Sequence, residues 1–208
     1  MKKRIGVFGG TFDPPHLGHI SLAIEMLEAH HLSEVWFCPA KISPFKQNKI
    51  MAAPHHREAM IKRAIRGIQG LKYCSIDLQR PAPSYTVDTL RLLHQHFSGK
   101  EHSVVLYLIM GEDSAQTFFD WHQPQEILEL STVIIGQRTD KDPKHRVADA
   151  LIPGMTPIRS IDISSSEIRR RIQAGKHVEH LLPTSVWRYI QLHRLYNINK
   201  GVNEKGII

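Results

Sequence analysis

Short, uniformly apolar segments alternate with helix-like segments along most of the chain, and this alternation restricts the fold more than any other feature. The clearest apolar segments lie at residues 5–8, 35–38 and 104–110, and glycine or proline follows each of them. Strands that are apolar on both faces are typical of parallel sheets covered by helices on both sides. The sequence therefore predicts an α/β fold with a doubly wound parallel sheet, followed by C-terminal helices.

Amphipathic segments between these strands supply the helices, and two weaker apolar runs supply further strands. The helical pattern covers residues 19–31, 56–68, 86–97 and 126–130, and further strands are expected at residues 73–78 and 131–135. No repeat or low-complexity tract divides the sequence. We therefore predict a single domain over residues 1–208, with a helical C-terminal part over about 164–198.

The composition is that of a globular protein made in a reducing compartment. Hydrophobic residues make up 41% and charged residues 23% of the sequence, which argues against disorder. Cys38 and Cys74 are far apart and lack CxxC spacing, which argues against a disulfide framework and a thiolate zinc site. No apolar run is long enough for a signal peptide or a membrane span. These observations predict a cytoplasmic protein with no membrane partner.

The formal net charge of +7 favours polyanionic partners, which include both nucleic acids and small phosphorylated ligands. The basic residues are scattered, with one cluster at residues 169–171, and no aromatic residues interleave with a basic stripe. We therefore expect a small phosphorylated ligand and no nucleic-acid partner. The sequence leaves the oligomeric state open, with a homodimer as one option.

The strongest chemical signal is the segment of residues 9–19, which lies between the first strand and the first helix. Gly9 and Gly10 let the backbone approach a phosphate closely, and the helix start beyond them offers free amides. His16 and His19 are three residues apart at that start, so both rings can project to one side. The histidine pair alone would favour an ordinary Gly-Pro turn with two surface histidines. The whole segment in this position favours a phosphate site.

A second candidate anion site lies at residues 162–169. Ser164 and Glu167 have the spacing of a capping box that opens a helix, and Gly175 is placed to end it. Serine hydroxyls and first-turn amides beside Arg169 would suit an anion. The spacing alone is equally compatible with a well-capped surface helix.

Residues 9–19 resemble the HxGH signature of the nucleotidyltransferase superfamily that shares its nucleotide-binding core with class I tRNA synthetases, and residues 162–169 resemble its ISSTxIR motif. The resemblance implies a Rossmann-like nucleotidyltransferase fold, with Mg²⁺ accompanying ATP and no residue assigned as a direct metal ligand. It implies that His16 and His19 are catalytic and stabilise charge as pyrophosphate departs. The ATP-binding residues that it implies are Gly9, Gly10, Thr11, Phe12, His16, His19, Gly111, Asp113, Ser165, Ser166 and Arg169.

Further segments resemble bacterial nicotinate-nucleotide adenylyltransferases, and the resemblance extends from residue 4 to residue 196. Residues 83–90 resemble the SYTxDTL motif, and residues 111–113 with 121–122 resemble the GxD and WH segments. The implied reaction joins ATP to nicotinate mononucleotide, giving deamido-NAD and pyrophosphate without a covalent enzyme intermediate. ATP and nicotinate mononucleotide are therefore the expected partners.

The same resemblance implies the residues that hold the mononucleotide. The pyridine ring would stack on Trp121, and the turn at Tyr85 and Thr86 would border the nicotinate carboxylate; a lone tryptophan is otherwise more often a core residue. The implied substrate-binding residues are Lys46, Tyr85, Thr86, Trp121 and Arg138.

Three segments depart from the family pattern, and two rival functions remain. Residues 43–46 replace the usual PPHK, Glu112 replaces a small residue beside Gly111, and only Arg138 is kept from the usual RPG. Phosphopantetheine adenylyltransferase shares the HxGH and serine motifs but lacks the SYTxDTL and WH segments. A nucleic-acid-binding protein would use the basic surface but would need interleaved aromatic residues.

Overall fold

The computed structural model describes residues 2–42, 52–99, 103–138, 147–159 and 161–197, which form a six-stranded parallel sheet with helices on both faces. The strands are β1 (Lys3–Gly10), β2 (Glu34–Pro39), β3 (Leu71–Tyr73), β4 (Val104–Gly111), β5 (Thr132–Arg138) and β6 (Met155–Ile158). The helices are α1 (Leu17–Ala29), α2 (Pro54–Ala64), α3 (Thr86–Phe97), α4 (Glu112–Ala115), α5 (Pro124–Leu130), α6 (Ser165–Gln173) and α7 (Thr184–Leu192). The predicted fold class is confirmed.

The strand order β3-β2-β1-β4-β5-β6 places β1 and β4 side by side at the centre of the sheet. From β1 the chain moves outward through β2 and β3, and it then returns to β4 and moves outward in the other direction. All neighbouring strands are parallel. The direction of winding therefore reverses between β1 and β4, and in such sheets ligands bind beyond the carboxyl ends of the strands at this point.

Two hydrophobic cores cover the two faces of the sheet. Helices α1, α2, α6 and α7 share one core with Phe8 and Ile109, whereas α3, α4 and α5 share the other with Val7 and Leu108. Successive strand residues point to opposite faces, so each strand needs apolar side chains at nearly every position. This double burial explains why the strand segments are uniformly apolar in the sequence.

The predicted strand at residues 73–78 is wrong. Strand β3 ends at Tyr73, and the following segment turns so that Asp77 becomes buried. The Asp77 carboxylate accepts hydrogen bonds from Thr89 (2.6 Å) and Arg80 (3.0 Å), which hold the segment away from the sheet. A buried carboxylate with these partners stabilises a turn that the apolar pattern alone could not indicate.

Several other elements differ from the sequence prediction at their boundaries. Helix α2 ends at Ala64 rather than residue 68, and Gly67 beyond it has a positive φ of 81°. Strand β5 continues to Arg138, past the predicted end at residue 135. Strand β6 and the short helix α4 were not predicted, because each is only four residues long.

Cys38 and Cys74 are neighbours in space although they are far apart in the sequence. Cys74 follows β3, and its backbone N–H donates to the carbonyl of Phe37 in the neighbouring strand (2.9 Å). Both thiols are buried and free. A hydrogen bond with Cys74, together with burial, raises the pKa of the Cys38 thiol.

Within the described ranges, no helix combines the length and the apolar character needed to cross a membrane.

Candidate active site

Two adjoining cavities lie beyond the carboxyl ends of β1 and β4, where the sheet changes its direction of winding. The larger has a volume of about 720 Å³ and the smaller about 330 Å³. They share a wall formed by Phe8, Gly9, Gly10, Thr11, Gly111, Asp113 and Ser114. Two ligands, or the two halves of one ligand, can therefore meet across this wall.

The smaller cavity brings together every residue that the resemblance implied for ATP. Its lining includes Gly9, Gly10, Thr11, Phe12, His16, His19, Gly111, Asp113, Ser165, Ser166 and Arg169. These residues come from β1, the start of α1, the end of β4 and the start of α6. Their roles stay predictions, but their convergence on one cavity agrees with a common ligand.

The two histidines are fixed against each other at the start of α1. His16 is the N-cap residue, and its backbone N–H donates to Nδ1 of His19 (3.2 Å). Their rings stack with centroids 3.6 Å apart. Because Nδ1 of His19 accepts a hydrogen bond, the neutral ring carries its proton on Nε2. His19 is thus set up as an Nε2–H donor on the wall of the smaller cavity.

Gly18 lies between the two histidines in the sequence. A Cβ at this position would lie 3.2 Å from the His16 ring and 3.3 Å from the carbonyl oxygen of Ile161. Contacts this short are rare for real Cβ atoms. Gly18 therefore leaves space for the His16 ring and for the backbone at Ile161, which precedes α6.

Phe12 lines the smaller cavity mainly through its position in the loop, because its side chain is only 2% exposed. Its ring packs against Phe8, Phe37 and His19, with centroid distances of 5.3, 5.3 and 5.0 Å. A Cβ on Gly10 would lie 2.8 Å from this ring. The buried ring of Phe12 therefore packs against the His19 ring from the core side. Only glycine at position 10 leaves enough space for the Phe12 ring.

The start of α6 is capped as predicted on one side only. The Ser164 hydroxyl accepts a hydrogen bond from the backbone N–H of Glu167 (3.1 Å). The Glu167 carboxylate accepts from Arg170 (2.6 and 2.8 Å), and no reciprocal bond to Ser164 joins these two described residues. The full capping box was therefore a wrong prediction. The helix does end before Gly175, which has a φ of 65°.

Helix α6 is bonded directly to the loop of residues 9–16. The Ser165 hydroxyl donates to the carbonyl of Pro14 (2.9 Å). Arg169 donates through Nη1 to the carbonyl of Asp13 (2.6 Å) and through Nη2 to Ser166 Oγ (3.2 Å). The two motifs, far apart in the sequence, therefore form one continuous surface around the smaller cavity.

Arg57 is a structural residue of the site that the sequence analysis missed. Its guanidinium is 1% exposed and donates to the carbonyls of Thr11 (3.0 Å), Ala40 (2.7 Å), Lys41 (2.8 Å) and Ala52 (3.2 Å). Burial lowers the pKa of Arg57, and the nearby Asp13 carboxylate opposes this shift. Arg57 lies on the buried apolar face of α2. A basic residue on such a face was the available signal.

The larger cavity lies between the start of α3 and the segment that precedes α5. Tyr85, Thr86 and Trp121 line it, as expected for the mononucleotide site. Trp121 packs against Phe118 with ring centroids 5.6 Å apart. The ring of Tyr85 lies 4.5 Å from that of His122, which also lines the cavity and was not predicted. The two walls thus contact each other through aromatic rings.

A network of ion pairs supports the larger cavity from one side. Asp77 and Thr89 line the cavity, and burial raises the pKa of the Asp77 carboxyl. Arg80 bridges Asp77 and Asp88, and Arg91 connects Asp88 to α5. The network joins the turn after β3, helix α3 and helix α5. It was not predicted because residue 77 was assigned to a strand.

Two of the predicted substrate-binding residues, Lys46 and Arg138, have no described side chain. Lys46 lies outside the described residues. The backbone of Arg138 is described at the end of β5, but its side chain is not. Glu112, whose effect the sequence left open, begins α4 and lines neither cavity. Among the described side chains, no group of three His, Cys, Asp or Glu residues is arranged to hold a metal ion.

Comparisons with known proteins show which family the chain belongs to. A model of the family described as cytidylyltransferase-like matches residues 7–171. A "Probable nicotinate-nucleotide adenylyltransferase" of Halalkalibacterium halodurans is 40% identical over 200 residues, covering 96% of this chain and 94% of that protein. The chain belongs to the nicotinate-nucleotide adenylyltransferase family, within the cytidylyltransferase-like enzymes. The resemblance inferred from the motifs is confirmed.

Other members of the family are similar over almost the whole chain. The nicotinate-nucleotide adenylyltransferase of Bacillus subtilis is 35% identical over 194 residues, covering 93% of this chain and 98% of that protein. The Plasmodium falciparum nicotinic acid mononucleotide adenylyltransferase complexed with NaAD superposes with a TM-score of 0.75 at 20% identity, covering 95% and 98% of the two chains. At 20% identity, this structural similarity shows a shared fold and nothing more.

Proposed function

We propose that this enzyme transfers the adenylyl group of ATP to nicotinate mononucleotide, giving deamido-NAD and pyrophosphate in NAD biosynthesis. The observation that carries the proposal is the shared wall of the two cavities. One cavity has histidines, serines and an arginine suited to phosphates, and the other has aromatic residues suited to a pyridine ring. Holding two reactants in adjoining sites removes much of the entropic cost of their reaction.

The residues of the site support a direct displacement. A phosphate oxygen of the mononucleotide forms a bond to the α-phosphorus of ATP, and the bond from that phosphorus to the β-phosphate oxygen breaks. The nucleophile is already an anion, so no base is needed, and no bond forms to the enzyme. His19 donates through Nε2 to developing negative charge, and Arg169 binds the departing pyrophosphate.

The setting proposed for this reaction includes Mg²⁺ and the cytoplasm. Mg²⁺ is held mainly by substrate phosphates and water in many enzymes of this kind, and it would neutralise charge on the leaving pyrophosphate. Asp113 lies on the wall common to both cavities, and its carboxylate would add a protein oxygen to the ion there. Two free, buried thiols suit the reducing conditions of the cytoplasm.

The start of α3 supports recognition of an acid rather than an amide. First-turn amides have no acceptor within their helix and attract anions, and Tyr85 is the N-cap of α3. The backbone N–H of Ser84 is not available to a carboxylate, because it donates to the carbonyl of Ile42 (2.9 Å). The proposed carboxylate site therefore narrows to Tyr85 and Thr86.

Nicotinate mononucleotide is expected to be used at least about tenfold more efficiently than the nicotinamide form, because an amide would leave buried donors unsatisfied. Asp77 lines the same cavity, but Arg80 balances its charge. The measurement is kcat/KM for each mononucleotide at fixed ATP and Mg²⁺. Equal values would contradict the carboxylate site while leaving adenylyl transfer intact.

The substitution Arg169→Ala is expected to raise the KM for ATP about tenfold or more, because it removes a charged donor to phosphate. The KM for the mononucleotide should change little, since Arg169 lines only the smaller cavity. Arg170→Ala is the matched control, because Arg170 is exposed, pairs with Glu167 and lines neither cavity. An unchanged KM for ATP in Arg169→Ala would indicate that the start of α6 has only a structural role.

A further inference from the structure

The carboxylate of Asp13 is buried beside the smaller cavity, and its two oxygens have different surroundings. Oδ1 accepts hydrogen bonds from the backbone N–H of Ala52 (3.2 Å) and from the phenol of Tyr196 (2.6 Å). Oδ2 has no hydrogen-bond partner among the described residues. It lies 3.8 Å from Nη1 of Arg169, which is too long for a hydrogen bond. The carboxylate is therefore held through one oxygen only.

Arg169 consequently keeps its charge directed at the smaller cavity. It forms a long ion pair with the Asp13 carboxylate (Nη1 to Oδ2, 3.8 Å) but no hydrogen bond to it, because its guanidinium donates instead to the backbone carbonyl of Asp13 (2.6 Å) and to Ser166 (3.2 Å). Its side chain remains 20% exposed. A bidentate pair with the carboxylate would be the strongest alternative contact for this guanidinium. Such a pair would neutralise the cation and compete with any phosphate in the cavity.

Tyr196 reaches Asp13 from the opposite end of the sequence. The two residues are 183 positions apart, and Tyr196 has a left-handed backbone with a φ of 64°. A non-glycine residue keeps this conformation only where its surroundings enforce it, and the Asp13 contact is one such constraint. Burial raises the pKa of the Tyr196 phenol, so it stays protonated and acts as a donor to the carboxylate.

We propose that Tyr196 is a positioning residue for ATP, because its hydroxyl holds the Asp13 carboxylate at the long 3.8 Å distance and stops it from forming a closer, hydrogen-bonded pair that would neutralise Arg169. The proposal rests on the proposed role of Arg169 in binding ATP. Without the hydroxyl, the carboxylate retains one hydrogen-bond partner among the described residues, the N–H of Ala52, and Arg169 is the cation within 4 Å of it in that part of the chain. The carboxylate then turns toward the guanidinium, and the arginine is withdrawn from the phosphates. Tyr196 thereby controls the charge of a cavity that it does not itself line.

The test is the substitution Tyr196→Phe, which removes the hydroxyl and keeps the ring. The KM for ATP is expected to rise about tenfold, the size of effect seen when a hydrogen bond to a charged group is lost. The KM for nicotinate mononucleotide should stay within about twofold. Tyr189→Phe is the matched control, since its hydroxyl lies 2.9 Å from Nδ1 of His56 and it lines neither cavity. Tyr189→Phe should leave the KM values for ATP and for nicotinate mononucleotide unchanged.

A double-mutant cycle with Arg169→Ala separates this mechanism from a general loosening of the structure. In the Arg169→Ala background, Tyr196→Phe should not raise the KM for ATP further, because no guanidinium remains to be neutralised. An equal further rise in that background would overturn the proposal. Three results for Tyr196→Phe alone would also overturn the proposal: an unchanged KM for ATP, an equal rise in the KM values for ATP and nicotinate mononucleotide, or failure to fold.

The single Arg169→Ala variant and the reaction of the native enzyme distinguish failure of this proposal from failure of the proposed function. If Arg169→Ala raises the KM for ATP and Tyr196→Phe does not, only the positioning role of Tyr196 is lost. If Arg169→Ala leaves the KM for ATP unchanged, the proposed roles of Arg169 and Tyr196 are overturned together. The proposed function itself fails only if the native enzyme releases no pyrophosphate from ATP and nicotinate mononucleotide.

Discussion

The variant His19→Ala is expected to fold and to lose about 10²–10³-fold in kcat, which corresponds to roughly 2.7–4 kcal/mol of transition-state stabilisation. The reason is the fixed orientation of the ring. Its Nδ1 accepts from the backbone of His16, and Phe12 supports the ring from the core side. A donor held in this way needs no reorganisation when charge develops on the departing phosphates. Alanine removes the donor without filling its place.

The measurement is single-turnover pyrophosphate release with saturating substrates, together with thermal unfolding to establish that the variant is folded. His94→Ala is a suitable control, because His94 is exposed near the end of α3 and bonds to the carbonyl of Leu130. It should keep kcat within about twofold. Turnover near the native value in a folded His19→Ala protein would remove this histidine from the mechanism.

The variant Arg57→Ala is expected to lower the free energy of unfolding by about 3–5 kcal/mol, because a buried cation is lost and its carbonyl acceptors are left unsatisfied. For a chain of this size, that corresponds to a fall in Tm of roughly 6–20 °C. Those carbonyls belong to Thr11, Ala40, Lys41 and Ala52, so the loop of the smaller cavity and the end of β2 lose a common anchor.

Denaturant unfolding of Arg57→Ala and Arg57→Lys tests this expectation. Lysine keeps the charge but cannot supply the same fork of donors, so an intermediate loss is expected. Arg66→Ala is the control, because Arg66 is exposed just beyond α2, and its effect should stay within about 0.5 kcal/mol. A loss below about 1 kcal/mol in Arg57→Ala would show that water can satisfy those carbonyls as well as the guanidinium does.

The features that local sequence could predict are those that leave a local pattern. Burial of both sheet faces makes the segments at Val7–Phe8 and Leu108–Ile109 apolar at successive positions, so a covered parallel sheet follows from composition and length. Parallel strands share one carboxyl edge, and residues that follow them therefore meet there. Gly9 and Gly111 follow apolar segments of the sequence, and both line the smaller cavity at this edge.

The features that sequence could not predict depend on contacts between distant segments. Asp77 appeared to be part of a strand because its partners, Thr89 and Arg80, lie in other elements. The contact between Asp13 and Tyr196 could not be predicted, because the two residues are 183 positions apart and belong to no repeated pattern of the sequence. The order of the strands is likewise a property of the assembled sheet.

The wall common to the two cavities has a consequence for inhibition. A dinucleotide product that fills both cavities competes with both substrates at once, and a synthetic ligand that joins two weak fragments across Gly9, Gly10 and Gly111 gains in the same way. Once one fragment is bound, the other experiences an effective concentration on the order of millimolar for a short flexible linker. Three of the seven residues in this wall are glycines, and a Cβ added at Gly9 or Gly111 would meet no atom within 4 Å, so a linker has room to pass there. Tethered bisubstrate ligands should therefore bind far more tightly than either half alone.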